Sequence, residues 1–139
     1  MAINIYLSFD GQCEAAFNFY AHVLGAQITA QFRYADTPME FPTPEEWKNK
    51  LMHASLTTPD GAILMGADAP PDHYKPAQGF SISLQIPDEA EAERVFAALS
   101  EGGTVTMPIA ETFWAKRFGM LIDQFGKPWM INCEKPMPV

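Results

Sequence analysis

Side chains able to move protons or hold a metal are sparse in this 139-residue chain, which has three histidines and two cysteines. His53 lies in the alternating stretch LMHASLTTP (51–59), where it shares parity with Ser55 and Thr57. Three roles stand open for it: a hydrogen-bonded structural histidine, a general acid/base, or a metal ligand. No second His or carboxylate has ligand spacing to it. His22 falls on the outer side of a helical pattern and His73 in a proline-rich loop. Among the carboxylates, Glu111 is the candidate general base. Asp123 heads Asp-x-x-Gly, which is turn chemistry. Asp68 ends a strand pattern before Ala-Pro-Pro and reads as a cap of that loop or a group at a pocket mouth. Cys13 and Cys133 are too few and too far apart for a disulfide framework or a zinc site. Both sit in apolar patterns and are expected to be small buried hydrophobes. No Ser-His-Asp or Cys-His constellation can be placed.

The stretch ETFWAKRFGMLIDQFGKPWMINCEK (111–135) concentrates two of the three tryptophans and four of the nine Lys/Arg residues. It admits two readings. In one, Phe118, Trp129 and Ile131 are core, and Lys116 and Arg117 are rim charges that keep a sheet edge soluble. In the other, Trp114 and Phe118 form an aromatic wall and Lys116 supplies positive charge for an anionic or carbonyl-bearing small molecule. Tyr6, Ser83, Gln85 and Asn132 would complete such a site, since apolar cavities with a few convergent polar groups are its usual form.

These residues are positioned by a pattern that runs twice. INIYLSF (3–9) alternates, with Ile3, Ile5, Leu7 and Phe9 on one face and Asn4, Tyr6 and Ser8 on the other, the mark of a half-buried strand. A helix follows over 11–24 with Cys13, Ala16, Phe17, Tyr20 and Leu24 inward, stopped by Gly25. AQITAQFRYA (26–35), LMHASLTTP and AILMGAD (62–68) read as strands, the last two joined through Pro59-Asp60-Gly61. The order then repeats: FSISLQI (80–86), a helix over 88–101 opened by the capping box Asp88…Glu91, and strands at 104–111, 114–122 and 127–134. The offset between halves is 77 residues, from Leu7 to Leu84. Each half alone would expose one face of a four-stranded sheet, so a shared core and a single domain over 1–139 are expected, in two modules of about 1–68 and 79–135. The proline-rich excursions 36–50 and 69–79 are candidate lids, the first with one helical turn at Pro44 to Asn49.

The formal net charge of −8 argues against nucleic acid, whose phosphates need a basic face. No window approaches a membrane span, and MAINIYLSF lacks the basic start of a signal peptide. A reduced, cytoplasmic protein is the expectation.

Paired βαβββ modules of the α+β class resemble the vicinal-oxygen-chelate superfamily, which includes glyoxalase I, fosfomycin and bleomycin resistance proteins and extradiol dioxygenases. YLSFDGQCEAAFNFYAHVLGA, LMHASL, ILMGAD, GFSISL and ETFW…FG…D.FG.PWMIN together resemble its PhnB-like branch, and the resemblance spans nearly the whole chain. It implies two modules curling their sheets into a cup, with metal ligands on the first and last strands of each module. The positions similar to those ligands are Asn4, Ser81, Met130, and Met65 or Gly66. None is His or a carboxylate, so no metal and no cofactor are expected, and Ser81 and Met130 become cup-lining residues instead. A methyltransferase label, sometimes attached to this branch, is unsupported, because no Gly-rich strand-to-helix loop is present to cradle S-adenosylmethionine. The resemblance also implies a homodimer. The function implied is metal-free binding of a small organic molecule. The alternatives are a metal-dependent lyase or isomerase of glyoxalase type using an unusual ligand set around His53 and Glu111, and a subunit whose role is association.

Overall fold

A computed structural model of the protein describes residues 1–36 and 44–136. Part of the first excursion therefore lies outside the described residues. The chain divides into two compact units, Met1–Pro76 and Ala77–Val139.

In the first unit, strand β1 (Ile5–Phe9), helix α1 (Cys13–Leu24) and strands β2 (Gln27–Arg33), β3 (Leu51–Thr57) and β4 (Ile63–Asp68) follow in the expected order. The sheet runs β1-β4-β3-β2, with β1 parallel to β4 and the other pairs antiparallel. A short 3-10 turn at Glu45–Trp47 fills the place of the expected helical turn. Helix α1 buries Cys13, Ala16, Phe17, Tyr20 and Val23, and Leu7, Phe9, Ala54, Leu56 and Leu64 form the buried face of the sheet. Gly66 is what lets the helix seat. A Cβ there would stand 2.9 Å from both the Phe17 ring and the Leu7 carbonyl. The helix ends where its sequence says, at Gly25, whose φ of 64° suits glycine.

The second unit repeats this order with β5 (Ile82–Gln85), α2 (Glu89–Ser100), β6 (Thr104–Ala110), β7 (Ala115–Ile122) and β8 (Pro128–Glu134). Its sheet runs β5-β8-β7-β6, again with the first pair parallel. Ala92, Val95, Phe96 and Leu99 of α2 are buried, the four residues the periodicity singles out. Gly119 plays the part of Gly66, since a Cβ on it would meet the Phe96 ring at 2.6 Å. The Asp88 side chain accepts from the Glu91 N–H at 2.8 Å. Asp88→Ala is expected to cost about 1 kcal/mol, and Asp88→Asn much less, because only the latter keeps a capping oxygen. Urea unfolding checks this: the midpoint should fall with an unchanged slope.

The first strand of each unit is shorter than its alternation suggests. Ile3 and Phe80, expected on the buried face, are 92% and 46% exposed. Pairing with the neighbouring strand begins only at Ile5↔Leu64 and Ile82↔Trp129, so alternation continues upstream without a ladder to hold it.

Candidate functional site

The face of the second sheet turned away from α2 collects most of the residues the sequence nominates. Gln85, Asn132 and Phe118 lie in one register row, and Ser83, Met130 and Met120 in the next. The intervening residues Trp129, Ile131 and Cys133 are buried on the other face. Across the first row runs a directed chain of hydrogen bonds. Trp114 Nε1–H donates to Asn132 Oδ1 at 3.2 Å, Asn132 Nδ2–H to Gln85 Oε1 at 2.7 Å, and Gln85 Nε2–H to Ser83 Oγ at 3.1 Å. Every donor points the same way, so the chain ends on Ser83 with the hydroxyl hydrogen still to place. Trp114 is set edge-on against Phe118, ring centroids 5.2 Å apart, with Phe113 edge-on at 4.8 Å.

The expected alternation Trp114, Lys116, Phe118, Met120 does not run through this region unbroken. Trp114 precedes β7, and the β7–β8 register shifts between Ala115 and Arg117, as a β-bulge does. Phe118 and Met120 keep the open face. Trp114 reaches that face through its ring contact and its indole N–H. Its backbone is fixed by a tight turn in which the Thr112 hydroxyl accepts from the Ala115 N–H at 3.0 Å, and by the Lys135 N–H donating to its carbonyl at 3.0 Å. Arg117 reaches Glu93 of α2 at 2.9 Å.

Beside the hydrogen-bonded chain is a pocket of about 400 Å³ lined by Gln85, Ile86, Pro87, Lys116, Asn132, Glu134, Lys135 and Pro136. Lys135 is held by Glu111 at 2.7 Å. That ion pair keeps the exposed Glu111 carboxyl below the usual carboxylate range, the Lys135 hydrogen bond being the main cause. Glu111 is thus a weakened base, not an activated one. The half-buried Lys116 has no side-chain hydrogen bond or ion pair among the described residues.

The first sheet's face away from α1 holds a second cluster. Tyr6 pairs with Met65, Met65 with Ser55, and Phe32 with His53. The Tyr6 hydroxyl lies 3.1 Å from His53 Nδ1. The Phe32 ring stacks on the imidazole at 6.2 Å with 23° between planes. Burial pushes the Tyr6 phenol above its ordinary value. Phe32 is the residue sequence reasoning missed. Its signal was weak: it alternates with Ala30 and Ile28, but only the register brings it to His53.

Two carboxylates prove structural. Asp68 is buried, and its oxygens accept from the backbone N–H groups of Gly11 at 3.0 Å, Cys13 at 2.9 Å and Leu51 at 2.9 Å. It is neither at a pocket mouth nor a cap of its own loop; it ties together the starts of α1 and β3. Asp123 fixes its turn, as Asp-x-x-Gly suggests, by accepting from the Phe125 and Lys127 N–H groups, and it also holds the Trp129 indole at 2.8 Å. Cys13 and Cys133 are buried, and neither is in a disulfide.

The positions similar to metal ligands do not fit a metal. Gly66 faces α1, which leaves Met65. Asn4 precedes β1 and Ser81 precedes β5. Each unit then offers one neutral oxygen and one thioether, a poor set for a first-row divalent ion. Among the described residues no group of three or more His, Cys, Asp or Glu is placed to hold one. No described helix is long and apolar enough to cross a membrane.

Comparison with known proteins agrees with this architecture. Residues 2–131 match the Glyoxalase/Bleomycin resistance protein/Dioxygenase superfamily. Protein YjdN of Escherichia coli strain K12 is 32% identical, with 99% of each chain covered. The crystal structure of PA1353 from Pseudomonas aeruginosa superposes with a TM-score of 0.88 at 44% identity, covering 98% of this chain and 99% of that one. A PhnB protein from Bacillus cereus follows at a TM-score of 0.78 and 25% identity, covering 95% and 98%. The repeated βαβββ order, the two four-stranded sheets and these matches together place the chain in the glyoxalase/bleomycin resistance protein/dioxygenase superfamily, with a PhnB protein among its structural neighbours.

Proposed function

We propose that this superfamily member binds a small anionic organic compound without a metal, on the open face of its second sheet. The observation that carries the reading is Lys116, an ammonium without a protein partner among the described residues, lining a pocket with Gln85 and Asn132. A half-buried cation left unpaired in a chain of net charge −8 is a recognition element for an anion. The chain of amides behind it fixes the orientation of Asn132 and Gln85 before a ligand arrives, which lowers the ordering cost of binding. Ile86, Pro87 and Pro136 supply the apolar part of the lining for the ligand's body. The lyase alternative asks Glu111 to act as a free base, and its pairing with Lys135 works against that role.

Benzoate is a suitable probe, with benzyl alcohol as its neutral counterpart. Tryptophan fluorescence should report saturable benzoate binding and at least tenfold weaker binding of the alcohol. Lys116→Ala should weaken benzoate about tenfold, the loss of one charge-assisted hydrogen bond, and Lys116→Arg should retain most of the affinity. Equal affinity for acid and alcohol, or no effect of Lys116→Ala, overturns the proposal.

A further inference from the structure

The Tyr6–His53–Phe32 cluster of the first unit is not used by that reading. Its geometry determines the chemistry of the imidazole. Burial holds the Tyr6 phenol above its ordinary value, so at neutral pH it keeps its hydrogen and has one to donate. The atom within reach is His53 Nδ1, at 3.1 Å. An Nδ1 that accepts has no hydrogen of its own, so in the neutral ring the hydrogen sits on Nε2. That Nε2–H has no hydrogen-bond partner among the described residues. Phe32 stacks on one side of the ring, and Tyr6 lies tilted by 34° at 5.8 Å. In that tautomer the neutral imidazole offers Nε2–H as a donor.

The surroundings choose between ligand classes. Ser8, Ala30, Ser55, Met65 and Ala67, the register neighbours on this face, carry no charge. Without a cation, and in an acidic protein, a carboxylate is disfavoured. A neutral carbonyl oxygen suits a single N–H donor, and the half-exposed rings of Tyr6 and Phe32 suit a flat aromatic body.

We propose that the open face of the first sheet is a binding site for neutral aromatic carbonyl compounds, with His53 Nε2–H as the hydrogen-bond donor and Phe32 as the stacking surface. The inference rests on contacts of the first unit alone and stands or falls independently of the Lys116 pocket.

Benzamide, with benzoate as its charged counterpart, tests it by NMR of the 15N-labelled protein. The free protein should show His53 protonated at Nε2, and Tyr6→Phe should mix the two tautomers. Benzamide should shift the His53 and Phe32 ring signals saturably, at least fivefold more tightly than benzoate shifts those same signals. His53→Leu should weaken benzamide about tenfold. His53→Gln should hold it within about threefold, because the Gln amide N–H occupies the place of Nε2–H. Should His53→Leu fail to fold, the Gln and Tyr6→Phe variants still decide. An Nδ1-protonated ring in the free protein, the absence of saturable shifts at His53 and Phe32, equal losses in the Gln and Leu variants, or benzoate matching benzamide at these signals would each overturn the proposal.

Discussion

Asp68→Ala is expected to destabilise the protein by about 3–5 kcal/mol, enough to unfold many domains of this size. The carboxylate is 1% exposed. It is the acceptor for three backbone N–H groups, at Gly11, Cys13 and Leu51. Removing it leaves the buried Cys13 and Leu51 donors and the part-buried Gly11 donor with nothing to bond, at about 1–3 kcal/mol for each buried one before relaxation admits water. Asp68→Asn separates charge from geometry. Its carbonyl oxygen can still serve Gly11 and Cys13, but an NH2 then faces the Leu51 N–H, donor against donor, and about 2 kcal/mol should be lost. Urea midpoints measure both. Amide exchange gives the location: Cys13 and Leu51 should lose protection before the rest of the sheet. A loss under 1 kcal/mol for the alanine variant would show that water reaches these donors and that Asp68 is not the tie between α1 and β3.

Asp68 also marks the boundary of what could be read from the chain. Periodicity reports which face a residue takes, and that sufficed for Leu7 and Phe9 inward, Tyr6 outward, and for the buried sets of both helices except at the end of α1, where Val23 is buried and the expected Leu24 only half-buried. Local chemistry sufficed for the Gly25 stop, the Asp88 cap and the Asp123 turn. None of these depends on a partner far away in sequence. The Asp68 bonds to Cys13 and Gly11 span 55 and 57 residues, and only the parallel register of β1 with β4 creates them. Register is likewise what sets Phe32 opposite His53 and Met65 opposite Tyr6. The bulge after Ala115 breaks alternation where the nominated site residues sit, so the sequence nominates Trp114 and Lys116 without their true relation to the strand. Glu111 was nominated from its neighbourhood alone, and its pairing with Lys135 depends on the course of the chain beyond β8.

The two tryptophans of the 111–135 stretch divide the core reading from the binding reading, and substituting each gives the sharpest contrast in the molecule. Trp129 is 1% exposed on the α2 side of its sheet, with its indole N–H on Asp123. Trp129→Ala should cost about 3–5 kcal/mol through the cavity alone, with a further loss from the Asp123 turn it helps to fix. Trp129→Phe keeps most of the volume and should cost about 1–2 kcal/mol for the lost charge-assisted hydrogen bond. Trp114 is 41% exposed, packs on Phe118, and donates to Asn132 at the head of the amide chain. Trp114→Ala should cost only about 1 kcal/mol of stability. Its larger effect should be on binding, because Asn132 then loses the donor that orients it toward Gln85, and benzoate affinity should fall several-fold. Parallel urea unfolding and benzoate titration of the three variants test the division. If Trp114→Ala unfolds the protein as readily as Trp129→Ala, both rings are core, and the pocket beside Lys116 is a by-product of packing rather than a site.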